Sequence, residues 1–327
     1  MLTPRRDIIV IGASSGGVPL MLDMAAALPV PFPASILLVQ HIGTHESVLP
    51  ELLRRSGRNP AMHARSGLSI EPGHIYVAPP DHHMLVVGNE IRLTREAKEN
   101  HTRPAIDPLF RSAAISMGPR VIGVVLSGRL DDGTAGLQAI KACGGLAVVQ
   151  EPTDAEAPDM PASASANVAV DHYVTRATLA ATLTRLADEP VSIPRVAAPP
   201  EMVREFQLSL GEGNPMEQLD AIGRPSKITC PDCSGVLWEI RNSHPPRYRC
   251  HTGHAYTQQT LEHTQGTRTD EALWSALRAL QEREALLSSM AGACRERSDA
   301  HEAERLEAEA VHMKTHALQL QRIMAGE

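Results

Sequence analysis

The sequence predicts an α/β fold: a doubly wound, mostly parallel sheet, followed by a small cysteine-bearing module and an α-helical tail. Short β-branched runs alternate with segments of helical apolar spacing over roughly the first 190 residues, and this alternation favours a parallel sheet with helices on both faces. Three of the five cysteines then cluster together, and apolar residues near the end recur at coiled-coil spacing. We expect four segments: a domain over 1–190, a linker over 191–225, the cysteine module over 226–262 and the tail over 263–327.

The first predicted strand is Ile8 to Ile11, a β-branched apolar run that is too short for a helix. It enters a glycine-rich turn that carries Ser14 and Ser15, and a segment of helical spacing follows from Gly17 to Leu28. Ser14 therefore lies at the carboxyl end of a strand, which is the edge of a parallel sheet where ligands and catalytic side chains collect. Alternatively, either serine could simply cap the following helix.

Two further predicted strands end in polar residues at the same edge. Residues 35–40 form a buried-type strand that ends at His41, and residues 121–127 form another, shortly before Asp132. We expect these two side chains and Ser14 to converge, because the carboxyl ends of parallel strands share one edge. Each also has a plainer interpretation, since His41 is one of fifteen histidines and Asp132 could cap a helix that begins near residue 134.

Such a set of side chains would suit nucleophilic catalysis. The Ser14 hydroxyl is a poor nucleophile until an imidazole takes its proton, and a carboxylate fixes the imidazole tautomer and stabilises the imidazolium. Backbone N–H groups of Ser15, Gly16 and Gly17 could stabilise a developing oxyanion. A dinucleotide-dependent oxidoreductase is disfavoured, because Val18 replaces a fingerprint glycine and no tyrosine is followed four residues later by lysine.

Several motifs resemble the catalytic domain of the protein-glutamate methylesterase CheB family: I-G-A-S-S-G-G, V-Q-H, G-R-L-D-D-G-T-A-G, P-G-H-I-Y-V-A-P-P-D-H-H-M, N-H-T-R-P-A-I-D-P-L-F and Met160–Pro161. The resemblance covers about the first 190 residues. It implies Ser14 as nucleophile, His41 as general base and then acid, and Asp132 as the residue that orients His41, with no cofactor for catalysis. The implied reaction is hydrolysis of glutamate γ-methyl esters on chemoreceptor helices in chemotaxis signalling, with deamidation of certain receptor glutamines as a second activity.

The chain departs from the family pattern in the loop before Asp132. Arg129 stands where the family has an active-site Met, and Asp131 stands where it has Asn. Arg129 could pair with a carboxylate on the substrate protein or be a solvated loop residue, so substrate preference or rate could differ. Many family members also begin with a receiver domain, whereas this chain reaches its first catalytic strand at about residue 7, so we expect no receiver here.

The cysteine module has the spacing of a metal site. Two knuckles, C-P-D-C and C-H-T-G-H, flank a segment that could form a hairpin, and three thiolates with one imidazole suit tetrahedral Zn²⁺. We therefore predict a zinc-ribbon-like module with a structural metal held by Cys230, Cys233, Cys250 and His254. Two alternatives stay open: His251 as the fourth ligand, or a metal-free hairpin whose cysteines are small buried groups.

The tail from about residue 269 is charged and has helical periodicity. Two a/d-type seams are predicted, at Leu273, Leu277, Leu280 and Leu287, and at Leu306, Ala310, Met313, Ala317, Leu320 and Met324. Gly292 and a charged cluster within residues 291–300 suggest that two helices fold back on each other. The seams could serve this intramolecular packing, self-association, or docking of receptor helices or a signalling partner.

Composition is consistent with a cytoplasmic multidomain enzyme. The chain has 327 residues, 43% of them hydrophobic, which is enough for a proper core in the first domain. No apolar run approaches the ~20 residues of a membrane helix, and a net charge of −7 argues against broad binding to nucleic acid. An inactive esterase-fold adaptor, binding a signalling partner through the module and the tail, is the alternative function.

Overall fold

A computed structural model describes residues 4–42, 46–191 and 194–326. The chain divides into two compact units, Met1–Leu261 and Glu262–Glu327. Within the described ranges, no helix is both long and apolar enough to cross a bilayer.

The first unit is built on a seven-stranded sheet in which all neighbouring strands are parallel. Its strands are β1 (Ile8–Ala13), β2 (Ser35–Gln40), β3 (Ala61–His63), β4 (Ile75–Val77), β7 (Val121–Val125), β8 (Leu146–Gln150) and β9 (His172–Val174). The strand order is β3-β4-β2-β1-β7-β8-β9. After β1, the chain first adds strands on one side of β1 (β2, β3 and β4) and then on the other (β7, β8 and β9). The carboxyl ends of β1 and β7 flank the point where the direction switches, and doubly wound sheets place their functional sites there.

Six helices cover this sheet: α1 (Gly17–Ala27), α2 (Leu49–Ser56), α3 (Ile106–Met117), α4 (Thr134–Ala142), α5 (Asp159–Asn167) and α6 (Leu179–Asp188). Successive residues of a strand point to opposite faces, so Ile9 and Ile11 pack with α1, α2 and α6, whereas Ile8 and Val10 pack with α3, α4 and α5. Two apolar cores thus lie on the two faces of the sheet. The predicted doubly wound α/β fold is confirmed.

An antiparallel hairpin is inserted before α3. It consists of β5 (His83–Val87) and β6 (Glu90–Thr94). The backbone N–H of Val86 donates to the hydroxyl of Ser112 in α3 at 3.0 Å. This contact fixes α3 against the hairpin, and the loop between β6 and α3 is thereby held at the carboxyl edge of the sheet.

The segment expected to be a linker, residues 191–225, is largely folded and differs from that prediction. It contains α7 (Pro200–Ser209) and α8 (Pro215–Ile222). Two prolines of this segment, Pro200 and Pro215, lie at the first positions of these helices, where a missing N–H has no cost. Leu208, Leu219 and Ile222 pack against the sheet that follows, so the segment has a core contact that local composition does not reveal.

The last part of the first unit is a four-stranded antiparallel sheet. Its strands, in spatial order, are β10 (Gly223–Thr229), β11 (Val236–Ile240), β12 (Arg247–Cys250) and β13 (Ala255–Thr257). We call this sheet with its two cysteine knuckles the C-terminal module. A small core of its own includes Leu237 and Tyr256.

A buried ionic cluster joins the C-terminal module to the seven-stranded sheet and its covering helices, which we call the parallel-sheet domain. Arg111 of α3 donates to Glu99 at 2.8 and 2.9 Å and to Glu205 of α7 at 3.1 Å. Arg249 of β12 reaches Glu99 at 2.5 Å, and Arg247 reaches Glu205 at 2.9 Å. Burial alone would raise the pKa of Glu99, but the two guanidinium groups beside it hold that pKa well below its usual range. Both carboxylates are therefore charged and paired.

The second unit consists mainly of two helices. They are α9 (Gln258–Glu296), which begins in the first unit, and α10 (Ala300–Ala325). Leu287 and Cys294 of α9 pack with Ala303 and Leu306 of α10, and the predicted seam residues are all buried or partly buried. Gly292 lies inside α9 rather than in the turn, because residues 297–299 reverse the chain and Asp299 caps α10 by accepting from the N–H of Glu302 at 3.2 Å.

Candidate active site

Ser14 and His41 lie side by side at the carboxyl ends of the central strands β1 and β2. Ala13 and Gln40 are register partners across these strands, so each candidate is the first residue past a paired position. The N–H of His41 donates to the Ala13 carbonyl at 3.1 Å. The Gln40 side-chain amide donates to the Ser14 carbonyl at 2.9 Å and thus ties the serine turn to the end of β2.

The turn after Ser14 requires its glycines. Gly16 has φ +79°, and a Cβ there would lie 2.6 Å from Cβ of Glu156. Helix α1 has no side-chain cap, so neither serine fills the capping role that the sequence left open. The N–H of Gly17 donates to the Ser14 carbonyl at 3.0 Å, whereas those of Ser15 and Gly16 have no acceptor within the described part of the chain. The N–H groups of Ser15 and Gly16 are therefore the two in this turn that can donate to an oxyanion.

His41 is held by Asp132, which comes from the loop between β7 and α4. The His41 Nε2 and Asp132 Oδ2 atoms are 2.8 Å apart, and the carboxylate is almost fully buried. A carboxylate can only accept here, so the ring proton lies on Nε2 and Nδ1 is the basic nitrogen. Among the described residues, no hydrogen bond joins the Ser14 hydroxyl to the ring. Such catalytic contacts are often long in ligand-free enzymes.

Asp132 is surrounded by hydrogen-bond donors. Its Oδ2 accepts from the N–H of Ile106 at 2.7 Å, and its Oδ1 accepts from the N–H groups of Asp107 and Gly133 at 3.2 and 2.9 Å. Asn100 Nδ2 also donates to Oδ1, at 2.8 Å. The carboxylate therefore sits on the amino end of α3 rather than capping α4. Burial opposes ionisation, but the hydrogen bond and charge of His41 and these donors together lower the pKa of Asp132.

A second buried carboxyl group, Asp107, lies behind the first. It accepts from the N–H groups of Gly133 and Gly136 at 3.0 and 2.7 Å and from Asn100 Nδ2 at 3.0 Å. Burial and then the negative charge of Asp132 raise the pKa of Asp107 to about 8. Only one of the two neighbouring carboxyl groups is therefore charged near neutral pH, and that one is Asp132.

Asp107 predicts a pH dependence of stability. Its pKa in the folded state is above the ordinary value of 3.8, so the folded state binds this proton more tightly than the unfolded chain. The resulting stabilisation is complete below about pH 4 and is lost as the pH rises through about 8. We expect the unfolding free energy of Asp107→Asn to fall less steeply than that of the wild type over this window. Parallel slopes in urea unfolding would contradict the assignment.

The loop from Gly128 to Asp131 closes over Ser14. A Cβ at Gly128 would lie 2.1 Å from Sδ of Met160 and 2.8 Å from Cβ of Ser14, so a larger residue would have to displace both side chains. Arg129 is exposed beside it. Asp131 turns away from the site, and its Oδ1 accepts from the hydroxyl groups of Thr257 and Thr260 at 2.7 and 3.0 Å.

Three residues that build this site were not predicted from the sequence. They are Gln40, Asn100 and Asp107, which lie inside the quoted motifs but received no role. The sequence carried a signal for Asp107, because a carboxylate in the first turn of an apolar helical run is expected to be buried and hydrogen-bonded, and the structure shows that it is.

The cysteine knuckles form a second cluster in the first unit. One side-chain ligand atom from each of Cys230, Cys233, Cys250 and His254 lies within 4.8 Å of all the others. His251, the alternative imidazole, is exposed and not part of this group. The four predicted ligands are thus brought together in a set that could hold a metal ion.

The similarity to known proteins covers the parallel-sheet domain. The CheB methylesterase family model matches residues 9–183. A relative from Leptospira interrogans is 36% identical over 182 residues, which cover 55% of this chain and 94% of the relative. The protein-glutamate methylesterase/protein-glutamine glutaminase 3 of Anaeromyxobacter dehalogenans is 39% identical over 167 residues, covering 50% of this chain and 48% of that protein.

A solved structure agrees with these sequence matches. The crystal structure of the Thermotoga maritima CheB methylesterase catalytic domain superposes with a TM-score of 0.53 at 29% sequence identity. The superposition covers 55% of this chain and 98% of that domain. The chain therefore belongs to the CheB methylesterase family.

Proposed function

We propose that this chain is a protein-glutamate methylesterase that hydrolyses glutamate γ-methyl esters on chemoreceptors, with Ser14 as nucleophile, His41 as proton carrier and Asp132 as its orienting acid. The observation that carries the proposal is the 2.8 Å contact between His41 and Asp132, made where β2 ends next to Ser14. Names of relatives support the substrate class, since several are called protein-glutamate methylesterase/protein-glutamine glutaminase.

The first half of the reaction transfers the acyl group to the enzyme. His41 Nδ1 takes the proton of the Ser14 hydroxyl as its oxygen attacks the ester carbonyl. The tetrahedral oxyanion is stabilised by the N–H groups of Ser15 and Gly16 in the turn before α1. When the intermediate collapses, His41 returns the proton to the leaving methoxide, so methanol departs and the glutamyl group remains on Ser14.

The second half repeats these steps with water. His41 takes a proton from water, the resulting hydroxide attacks the acyl-serine, and the proton returns to Ser14. Asp132 stays ionised throughout and stabilises the imidazolium that forms twice per turnover. Attack on a glutamine side chain would follow the same path with ammonia as the leaving group, which fits the second activity in the relatives' names.

Arg129 is proposed to lie in the substrate-binding region. It follows Gly128, where an added Cβ would lie 2.8 Å from Cβ of Ser14, and its side chain is exposed. An exposed guanidinium at this point suits a substrate helix that carries carboxylates near the esterified glutamate. We propose chemosensory signalling as the setting of this reaction.

A direct assay tests the proposal. The purified full chain is incubated with a chemoreceptor cytoplasmic fragment whose glutamate γ-esters carry a radioactive methyl group, and volatile methanol is counted. We expect release above the background of Ser14→Ala and a matching mass loss from the receptor fragment. Equal, background-level release from both proteins, together with binding of the fragment, would favour the adaptor function instead.

A further inference from the structure

We propose that Cys230, Cys233, Cys250 and His254 bind one Zn²⁺ ion, and that this metal holds strand β13 against the loop that positions Asp132. The second half of this proposal rests on the proposed esterase function, whereas the first half does not. Catalysis itself takes place at Ser14, so the metal would act through structure and not on the ester.

Two of the six donor–donor separations match the edges of a tetrahedral site. Cys233 Sγ and Cys250 Sγ are 3.6 Å apart, and Cys250 Sγ and His254 Nδ1 are 3.5 Å apart. Zn–S and Zn–N bonds of about 2.3 and 2.0–2.1 Å give tetrahedral edges of roughly 3.5–3.8 Å. A disulfide would instead bring the sulfur atoms to about 2.05 Å, and all of these cysteines are free. The cluster is therefore arranged for a shared ligand.

Each knuckle is closed by its own backbone. The Cys230 carbonyl accepts from the N–H of Ser234 at 2.8 Å, and the Cys250 carbonyl accepts from the N–H of Gly253 at 2.9 Å. Both turns use left-handed backbone, with φ +60° at Ser234 and +103° at Gly253. These turns direct the four side chains toward one another.

Strand β13 begins immediately after the ligand His254 and pairs outside its own sheet. The N–H of Ala255 donates to the Lys98 carbonyl at 3.2 Å, and the N–H of Asn100 donates to the Ala255 carbonyl at 2.8 Å. The N–H of Thr257 donates to Asn100 Oδ1 at 3.2 Å. Asn100 in turn donates to Asp132. A continuous chain of hydrogen bonds thus connects the metal ligand to the orienting acid of the active site.

A second connection reaches the residue next to that acid. The hydroxyl groups of Thr257 and Thr260 both donate to Asp131 Oδ1. These bonds tie the loop before α4 to Thr257 of β13 and to Thr260 in the first turn of α9.

Metal analysis of the full chain tests the first half of the proposal. We expect about one zinc per chain, and exchange for Co²⁺ should give the intense visible bands of a tetrahedral thiolate site. His254→Ala and His251→Ala form a matched pair: the first should lose the metal and the second should keep it. Cys294→Ser is the control for cysteine loss. Wild-type protein without bound zinc, or equal metal content in the two histidine variants, would overturn the site.

Kinetics test the second half. Thr257→Val should keep the metal but lower kcat several-fold with little change in KM, because Asp131 loses one of its two hydroxyl donors while the backbone N–H that binds Asn100 is retained. Thr184→Val, which removes a hydroxyl that bonds within α6, is the control. Removing zinc from the wild type should lower the thermal unfolding temperature of the first unit and methanol release together. Zinc-free protein with full activity, or Thr257→Val with unchanged kcat, would overturn the coupling. If no preparation releases methanol, the esterase function fails while the zinc result stands.

Discussion

Changing Asp132 to asparagine is expected to lower kcat for ester hydrolysis by about 10⁴-fold, the size typical when the orienting carboxylate of a triad is neutralised. Both oxygens of Asp132 accept hydrogen bonds, one from His41 and Ile106 and the other from Asn100 and two backbone groups. The asparagine amide must point its NH₂ group toward one of these two sets of hydrogen-bond donors. Donors then face each other there without an acceptor between them. The ring of His41 then loses its fixed tautomer and the anion that stabilises its charged form.

The measurement is single-turnover methanol release, with stability recorded in parallel. Asp188→Asn provides the control, since it removes a carboxylate whose side chain is 60% exposed and pairs only at the surface with Arg5. That variant should match the wild type in kcat. Retention of most of the activity by Asp132→Asn, in a folded protein, would show that His41 does not depend on this carboxylate.

Replacing Arg111 with methionine is expected to destabilise the first unit by about 3–5 kcal/mol. The guanidinium is 3% exposed and bonds to both Glu99 and Glu205. Methionine is similar in length but carries no charge, so two buried carboxylates each lose a positively charged partner. A buried charge without a full counter-charge lowers the free energy of unfolding by more than the lost contacts do. The effect should appear in urea unfolding of the first unit as a lower midpoint.

Arg185→Met is the matched control for this change. Arg185 pairs with Glu189 one helical turn away, and both side chains are largely exposed. Surface pairs of this kind contribute little, so no measurable shift is expected. Arg111→Met should also loosen the C-terminal module, because Glu99 and Glu205 bind arginines of β12. Equal midpoints for the two variants would contradict the structural role of the cluster.

The fold and the three candidate catalytic residues could be predicted because they depend on local patterns. The three strands that carry these residues were visible as short β-branched runs, and parallel register then brings residues at strand ends to one edge. Ser14 and His41 follow register partners of β1 and β2, so their proximity needed no further information. The four proposed metal ligands were predictable for a similar reason, since both knuckles have short fixed spacing.

The remaining features depend on contacts between distant segments, which periodicity does not reveal. Asn100 acquires its role only when β13 pairs with the loop before α3, and Asp131 only when Thr257 reaches it across more than a hundred residues. The helices in the expected linker form because Leu219 finds a partner surface in the module. Composition alone does not show that Pro200 and Pro215 begin helices.

Covalent labelling tests the central claim, that His41 activates Ser14, most directly. The full chain is treated with a fluorophosphonate, which reacts with activated serines, and the modified residue is located by peptide mass mapping. We predict a single adduct on Ser14 in the wild type and in Asp188→Asn, and a strongly slowed reaction in His41→Gln. An adduct on Ser15, or equal labelling of Ser14 after loss of the His41 imidazole, would contradict it.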